Sequence, residues 1–442
     1  MKVIIIGAGE VGYELAESIR RKGHDVFIVD KNRKACRRAR TLDVKVINGN
    51  GAKPELLNSL DVKNSDFFFA VTNDNEANIV ACSIASSVGC KTIARINGLE
   101  YISKPISRRF SKIGVDYAVS PELIIAKKIA NIISVPFAIN RNLFMGGKVN
   151  VVEFKVLSHS KIEGKKIKEV KFPKNVNLGA IVRGNKVMVP HGDDVLQEDD
   201  TLIVIMYGRK PEKNMVKLLG KRENKIRSVM IVGATDIGIN VSRILQKRGV
   251  SVKLMDDSHK RARRAAEELK NVEVIEGDAR DKTVLIEEGI LRVDAFASTS
   301  SSEEFNVLVS LLAKIYGVEK TVATVRELGL KSLIETVGID FAASPELQTA
   351  RTMLRYAKAL NPLKAISLHG GDLYILEMEV DKDSKIHSQV LKNCDLPQAS
   401  IVGAIKRGDK TIIPHGDQTF QKGDQVMIFV LKEEIDRVEE LF

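Results

Sequence analysis

The chain is one unit written twice, and a repeat of that length constrains the fold more than any single motif. "VIIIGAGEVGYELAESIRRKGHDVFIVD" begins at Val3 and returns as "VMIVGATDIGINVSRILQKRGVSVKLMD" at Val229, so that 226 residues separate Gly7 from Gly233 and Asp30 from Asp256. "VSPELIIAKKIA" from Val119 returns as "ASPELQTARTML" from Ala343. "GAIVRGNKVMVPHGDDVLQEDDTLIV" from Gly179 returns as "GAIKRGDKTIIPHGDQTFQKGDQVMI" from Gly403, at an offset of 224. A chain of 442 residues with such a duplication is two tandem units.

Each unit divides in two. Apolar runs at Val3–Ile6, Val26–Val29, Val44–Ile47, Phe67–Val71 and Thr92–Ile96 predict strands. Helical patterns at Val11–Lys22, Arg33–Thr41 and Glu76–Val88 fall between them. Strand and helix alternating through short loops give a parallel, doubly wound sheet. Ser120-Pro121-Glu122 and Ser344-Pro345-Glu346 read as helix starts, a capping serine followed by proline in the first turn. Beyond them lie short strands at Val149–Val156, Ala180–Val182 and Thr201–Met206, broken by Gly, Pro and Asp turns. A module of about 70 residues exposes much of its apolar surface, so pairing with another copy would help it. The expected class is α/β: two tandem units, each a Rossmann-like doubly wound parallel sheet followed by a small α+β domain. The expected boundaries are 1–138, 139–220, 221–360 and 361–442, with Gly208–Asn224 as a charged linker.

Composition is that of a globular protein, with 44% hydrophobic and 29% charged residues. No apolar run approaches the ~20 residues of a membrane span. The N-terminus enters its Gly-rich turn without a signal-peptide core, which predicts a cytosolic chain. Cys36, Cys82, Cys90 and Cys394 form no C-x-x-C pair, so they read as small core residues, with no metal site expected. The net charge of +12 gathers at Lys31–Arg40, Lys260–Arg264 and Arg209–Arg227. No aromatic residues lie among these clusters to stack on bases, so solvated faces are expected and no nucleic-acid partner. A basic surface also suits a protein held near an anionic cytoplasmic leaflet.

Gly7-Ala8-Gly9-Glu10-Val11-Gly12 is G-x-G-x-x-G in full context: a strand before it, a helix after it, and a second strand ending in Asp30. Gly7 permits the turn, Gly9 lets backbone approach a pyrophosphate, and Gly12 lets helix and strand pack closely. The helix N-terminus offers free N–H groups to phosphates. Asp30 would accept from adenosine ribose hydroxyls, favouring NAD(H) over NADP(H), a preference softened by Lys31 and Arg33. Asn50 and Gly51 after the third strand, Thr72 and Asn73 after the fourth, and Arg95 ending the fifth should reach the same crevice, although a structural ion pair suits Arg95 nearly as well. In the second copy, Gly233-Ala234-Thr235-Asp236-Ile237-Gly238 puts Thr235 where Gly9 stands. Asp256 is retained, and Asp278, Ala279 and Ser300 complete the candidates. Thr324 replaces Arg95 and removes a cation. The second crevice is expected to be weaker or to hold a nucleotide in a different pose.

No catalytic residue is identified. His191 and His415 recur identically in "PHGD" and read as turn residues. The other five histidines, at 24, 159, 259, 369 and 387, have no carboxylate or cysteine partner at a recognisable spacing. There is no P-loop, G-x-S-x-G or H-E-x-x-H sequence. A binding module is favoured over an NAD-dependent oxidoreductase.

"VIIIGAGEVG…VFIVD", "NGNG", "AVTNDNEANIVAC", "IARI", the "SPEL" pair and the duplicated "GAIxRG…PHGD" together resemble the RCK (KTN) family, the tandem regulatory subunits of Trk-type potassium uptake. The resemblance covers all 442 residues. It implies NAD+ or NADH in the crevice, and in many members ATP or ADP. It also implies a homo-oligomer, dimer or tetramer, forming a ring, and an integral membrane potassium transporter subunit of the Trk type as partner. The chain would then lie in the cytoplasm, peripheral on the inner face of the membrane. Glu10 departs from relatives that prefer ATP and carry a basic residue there, and Thr235 departs from the family's glycine.

Overall fold

A computed structural model describes the chain except residues 22, 99–108, 135–137, 159, 185, 209, 221–225, 327–333, 335–336, 358–365 and 369–371. Met1–Ile133 and Ile226–Asn361 form one compact unit, and Ser134–Lys225 and Pro362–Phe442 a second.

In the first unit, the first copy runs β1 (Lys2–Ile6), α1 (Glu10–Arg20), β2 (Asp25–Asp30), α2 (Arg33–Ala39), β3 (Lys45–Asn48), α3 (Pro54–Ser59), β4 (Phe67–Ala70), α4 (Asn75–Ser87), β5 (Lys91–Arg95) and β6 (Tyr117–Val119). Its strands pair in parallel in the order β3-β2-β1-β4-β5-β6. Phe67–Ala70 is buried throughout, as a strand covered on both faces must be. The order reverses between β1 and β4, which opens a crevice above their carboxyl ends. The same chain then forms α5 (Pro121–Ile133), with the Ser120 hydroxyl accepting from the Leu123 N–H at 3.2 Å.

In the second unit, β7 (Ala138–Phe144), β8 (Val149–Lys155), β9 (Val176–Arg183), β10 (Lys186–Met188) and β11 (Thr201–Tyr207) form an antiparallel sheet in the order β10-β9-β11-β8-β7. Two of these strands, β7 and β10, were not expected. The expected linker is corrected too, because α6 (Lys210–Leu218) occupies it. Met215, Val216 and Leu219 face inward at helical spacing and are buried in the domain core, while the lysines between them disguise the pattern.

The second copy repeats the first: β12 (Ser228–Val232), α7 (Asp236–Gln246), β13 (Ser251–Asp256), α8 (His259–Glu268), β14 (Glu273–Glu276), α9 (Lys282–Glu287), β15 (Ala295–Ser298), α10 (Glu303–Ile315), β16 (Lys320–Thr324), β17 (Phe341–Ala343) and α11 (Pro345–Tyr356). Its small domain holds β18 (Ile366–Leu368), β19 (Leu373–Glu379), β20 (Ser400–Arg407), β21 (Lys410–Ile412), β22 (Gln425–Leu431) and α12 (Ile435–Glu439). The sheet orders are β14-β13-β12-β15-β16-β17 and β18-β19-β22-β20-β21.

The two Rossmann-like parts exchange helices. Ile125, Ala126, Ile129, Ala130 and Ile133 of α5 are buried in the core of the second sheet, among Val229, Ile231, Ile239 and Leu245. Ala350 and Met353 of α11 are buried in the core of the first, among Leu15, Ile19 and Val26. Arg248 locks one of these crossings by donating to the Ala130 carbonyl at 2.9 Å and to Asn131 Oδ1 at 2.7 Å, near the end of α5.

The small domains also pair within the chain. Ile205 and Phe429 share one buried cluster. A Cβ on Gly179 would stand 2.9 Å from the Phe429 ring, and one on Gly403 would stand 2.6 Å from Ile205 Cδ1. The arginine of each "GAIxRG" segment has a structural task. Arg183 donates Nε and Nη2 to Asp200 at 2.7 and 2.8 Å, and Arg407 does the same to Asp424 at 2.8 and 2.7 Å. Both aspartates are fully buried. Arg407→Met is expected to lower unfolding free energy by about 3–5 kcal/mol, since it strands a buried carboxylate. The double change Arg407→Met/Asp424→Leu should recover most of that loss in urea unfolding.

Candidate functional site

The first crevice is built on a turn that only glycine can make. Gly7 has φ +107°, and a Cβ there would lie 3.0 Å from the Thr72 N and Val71 C atoms. A Cβ on Gly12 would lie 1.8 Å from the Gly7 carbonyl oxygen, so helix and strand could not close. Gly9 is different. It has φ −68°, and a Cβ there would meet no protein atom within 4 Å. The packing of the fold does not require glycine at that place. Gly9 also caps α1 without a side chain, which leaves the N–H groups of the first turn, Glu10 and Val11 among them, for another acceptor.

Asp30 stands across the loop, accepting from Ala8 N–H at 2.6 Å and Asn32 N–H at 2.7 Å. It is half-buried, and five residues on, in α2, stands the short Ala35. Arg38, which sequence reasoning passed over, reaches Glu10 with a bidentate ion pair and lies 4.3 Å from the Tyr13 ring. Glu10 therefore does not stand as a free negative charge at the mouth of the loop.

Asn78 was also passed over, and it positions the far wall. Fully buried, it accepts from Thr72 N at 3.0 Å and Thr72 Oγ1 at 2.7 Å. It donates to the Thr72 carbonyl at 3.0 Å and the Arg95 carbonyl at 2.8 Å. One amide thus ties the ends of β4 and β5 together with all four of its bonds. Arg95 donates to Asn73 Oδ1 at 2.8 Å and Asn97 Oδ1 at 3.1 Å. Burial pushes its guanidinium pKa down, against the opposing effect of Glu122 and Glu346. Asn50 is engaged in its own turn, accepting from Ala52 N at 3.0 Å, and Gly51 is buried with its hydrogen toward Ile6.

The second crevice keeps this frame. Gly233 has φ +104°, and a Cβ on Gly238 would lie 2.0 Å from the Gly233 carbonyl. Asn306 ties Ser300 to Thr324 as Asn78 ties Thr72 to Arg95, which places Thr324 opposite Arg95 as the sequence predicts. Thr235 Oγ1 donates to the Thr299 carbonyl at 2.7 Å. Asp256 is 4% exposed and receives Ala234 N–H, Ser258 N–H and the Arg261 guanidinium. Burial works to raise its pKa, but Arg261 and the two backbone donors outweigh burial and hold it below the usual carboxylate range. Asp278 is bound by Arg280 at 2.7–3.0 Å, and Ala279 is buried. Asp236, the first residue of α7, is paired with Arg264, and Ile237 follows it in the first turn.

Where the two Rossmann-like parts meet there is a cavity of about 230 Å³, lined mostly by residues of the second copy, Thr235, Ser300, Thr324 and Arg326 among them, and closed on the other side by Val11, Arg95 and Glu122. Arg326, two residues past Thr324, lines this cavity and donates to the Ser301 carbonyl at 3.3 Å. Glu346 Oε2 is buried with no partner among the described residues, and burial raises its pKa.

The histidines of "PHGD" lie in turns, where the His191 N–H donates to Asp194 at 2.7 Å and the His415 carbonyl accepts from Gln418 N at 3.0 Å. His259 does have a carboxylate partner, Glu276 at 2.7 Å, an exposed pair at the edge of the second sheet that sequence spacing did not reveal. His159 and His369 lie outside the described residues.

Two family models match the chain: the TrkA-N domain over residues 3–121 and 229–345, and the TrkA-C domain over 151–208 and 375–442. A Trk system potassium uptake protein TrkA homolog of Archaeoglobus fulgidus is 35% identical over the full length of both chains. TrkA homolog 1 of Methanosarcina mazei is 34% identical, also over both full lengths. TrkA of Halomonas elongata is 30% identical over all of this chain and 98% of its own. Among solved structures, the GsuK RCK domain matches with a TM-score of 0.63 at 16% identity, covering this whole chain and 94% of that one. The GsuK channel bound to NAD matches with a TM-score of 0.62 at 16% identity, covering 78% of that chain. These structures share the fold.

Gly9→Ala should leave the melting temperature of the chain unchanged, because its Cβ meets nothing. Gly12→Ala should destabilise it by about 1–3 kcal/mol or more through overpacking. Thermal denaturation of the two variants side by side checks that packing requires glycine at 12 and not at 9.

Proposed function

The chain belongs to the TrkA family of Trk system potassium uptake proteins, and from that premise we propose that it is the nucleotide-sensing regulatory subunit of a potassium uptake system. It is not an enzyme: the relatives it matches at full length are named for a transport system and not for a reaction. The observation that carries the nucleotide reading is the gap at Gly9, an unfilled space beside an uncapped helix N-terminus and facing Asp30.

NAD+ or NADH occupies the first crevice in this reading. Its pyrophosphate lies along Gly7–Gly12 against the first turn of α1, and its adenosine ribose hydroxyls donate to Asp30. Thr72, Asn73 and Arg95 form the wall toward the second ribose, held in place by Asn78. ADP and ATP share the adenosine half and would compete for the same contacts. The GsuK structures bound to NAD and to ADP share this fold and support a nucleotide in an arrangement of this kind. The membrane path belongs to a separate integral subunit of the Trk type, with this chain on its cytoplasmic side as a dimer or tetrameric ring. A nucleotide changes the state of that assembly only by binding one arrangement of it more tightly than another. Such a difference has a route in the first unit, since α1, whose N-terminus meets the phosphates, packs against α11 of the second copy.

Titration calorimetry of the full chain with NADH should show binding that falls at least about 10–150-fold in Asp30→Ala, the loss of one hydrogen bond to a charged group at ~1.5–3 kcal/mol. Co-purification from membranes should bring down a Trk-type subunit in amounts that depend on nucleotide. Failure of NAD+, NADH, ADP and ATP alike to bind would end the nucleotide reading.

A further inference from the structure

We infer that each chain carries a single working nucleotide crevice, because Arg261 closes the second from within by taking the carboxylate that an adenosine ribose would need. The inference rests on the reading of the first crevice as an NAD(H) site and assigns the stoichiometry and the residue that sets it.

The backbone frame of the two crevices is the same, so the difference lies in side chains. Asp30 receives Ala8 and Asn32 N–H groups at 2.6 and 2.7 Å, and Asp256 receives Ala234 and Ser258 N–H groups at 2.7 and 2.8 Å. Those bonds leave each carboxylate with lone pairs to offer to ribose hydroxyls. At the next position the copies part. The helix after the strand carries Ala35 in the first copy and Arg261, its repeat mate, in the second. Arg261 Nε lies 2.9 and 3.0 Å from the two Asp256 oxygens, and its Nη2 lies 2.8 Å from one of them and 2.9 Å from Asp257. A guanidinium fork fills the remaining acceptor sites with charge-assisted bonds. Neutral ribose hydroxyls would have to displace it, and Asp256 is 4% exposed behind it.

Two further replacements act in the same direction. Thr235 stands where Gly9 leaves its gap, bonded through Oγ1 to the Thr299 carbonyl at 2.7 Å and accepting from Gly238 N at 3.4 Å. The helix N-terminus that faces phosphate in the first copy is capped by the chain itself in the second. Arg280 then takes the place of Ala52 beside the third strand, and its side chain is held on Asp278. At three positions a small residue has become one that binds within the protein. The adenosine end of the second crevice is thereby tied into the scaffold, the cavity beside Thr235 and Arg326 not reaching Asp256, and the nucleotide state of an assembly is read by its first crevices alone.

Titration calorimetry of the full chain with NADH should give one site per chain. Ala35→Arg, which installs the second copy's plug in the first, should reduce affinity at least 10-fold with an unchanged melting temperature. Arg261→Ala/Thr235→Gly should raise the stoichiometry to two. Two equal sites in the wild type, full affinity in a folded Ala35→Arg chain, or an unaltered stoichiometry in a folded Arg261→Ala/Thr235→Gly chain would each overturn the inference. Absence of NADH binding in the wild type would instead sink the reading of the first crevice. The Arg261→Ala/Thr235→Gly chain still decides the inference in that case: a site appearing only there supports it, and none appearing overturns it.

Discussion

The exchange of α5 and α11 is the constraint on which the rest of the first unit depends. A doubly wound sheet needs both faces covered, and here each sheet borrows part of that cover from the other copy. The isoleucines of α5 would face water if the second Rossmann-like part were absent, and Met353 would do so without the first. The two copies are consequently one folding unit despite the 226-residue separation of their matching glycines. The exchange also brings each glycine-loop helix against a helix from the other copy, α1 against α11 and α7 against α5. A ligand at the start of α1 therefore touches an element whose far side is anchored outside its own sheet.

Duplication within such a frame lets backbone and side chain diverge at different rates. Features that hold the chain together recur in both copies: the positive φ of Gly7 and Gly233, the clamps made by Asn78 and Asn306, and the buried pairs of Arg183 with Asp200 and Arg407 with Asp424. Each of these satisfies a buried polar group or a forced backbone angle, so its loss costs stability in either copy. Features that face the crevice differ: Gly9 against Thr235, Ala35 against Arg261, Ala52 against Arg280. In the function proposed above, those positions answer to a ligand.

Most of the architecture was legible in the sequence because its signals are local. Continuous apolar runs such as Phe67–Ala70 can only be covered strands, and Ser-Pro-Glu can only begin a helix. The packing roles of Gly7 and Gly12 were legible because a close approach admits one residue type. What escaped depends on tertiary reach. Asn78 reads as a polar residue in a helix, and nothing nearby in sequence shows that it faces two strand ends. Helix α6 was hidden because its lysines outnumber its buried Met215 and Val216, so composition argued for a linker. That α5 would cover the other copy's sheet is invisible in "PELIIAKKIANII", which is apolar enough to cover either.

Asp256 shows the same limit most sharply. Its place at the end of the second strand, 226 residues after Asp30, argues from sequence for adenosine recognition in both copies. A motif records which residue type stands at a position, but recognition depends on whether that residue still has an acceptor site to give. A carboxylate bonded to two backbone N–H groups has capacity left; the same carboxylate with an arginine fork added has none. Arg261 lies outside every fingerprint of the glycine loop, in a helix whose basic residues look like an ordinary solvated face. Its bonds to Asp256 set it apart from Arg263, which pairs with Glu267 along its own helix, and from Arg264, which reaches Asp236 and Glu268.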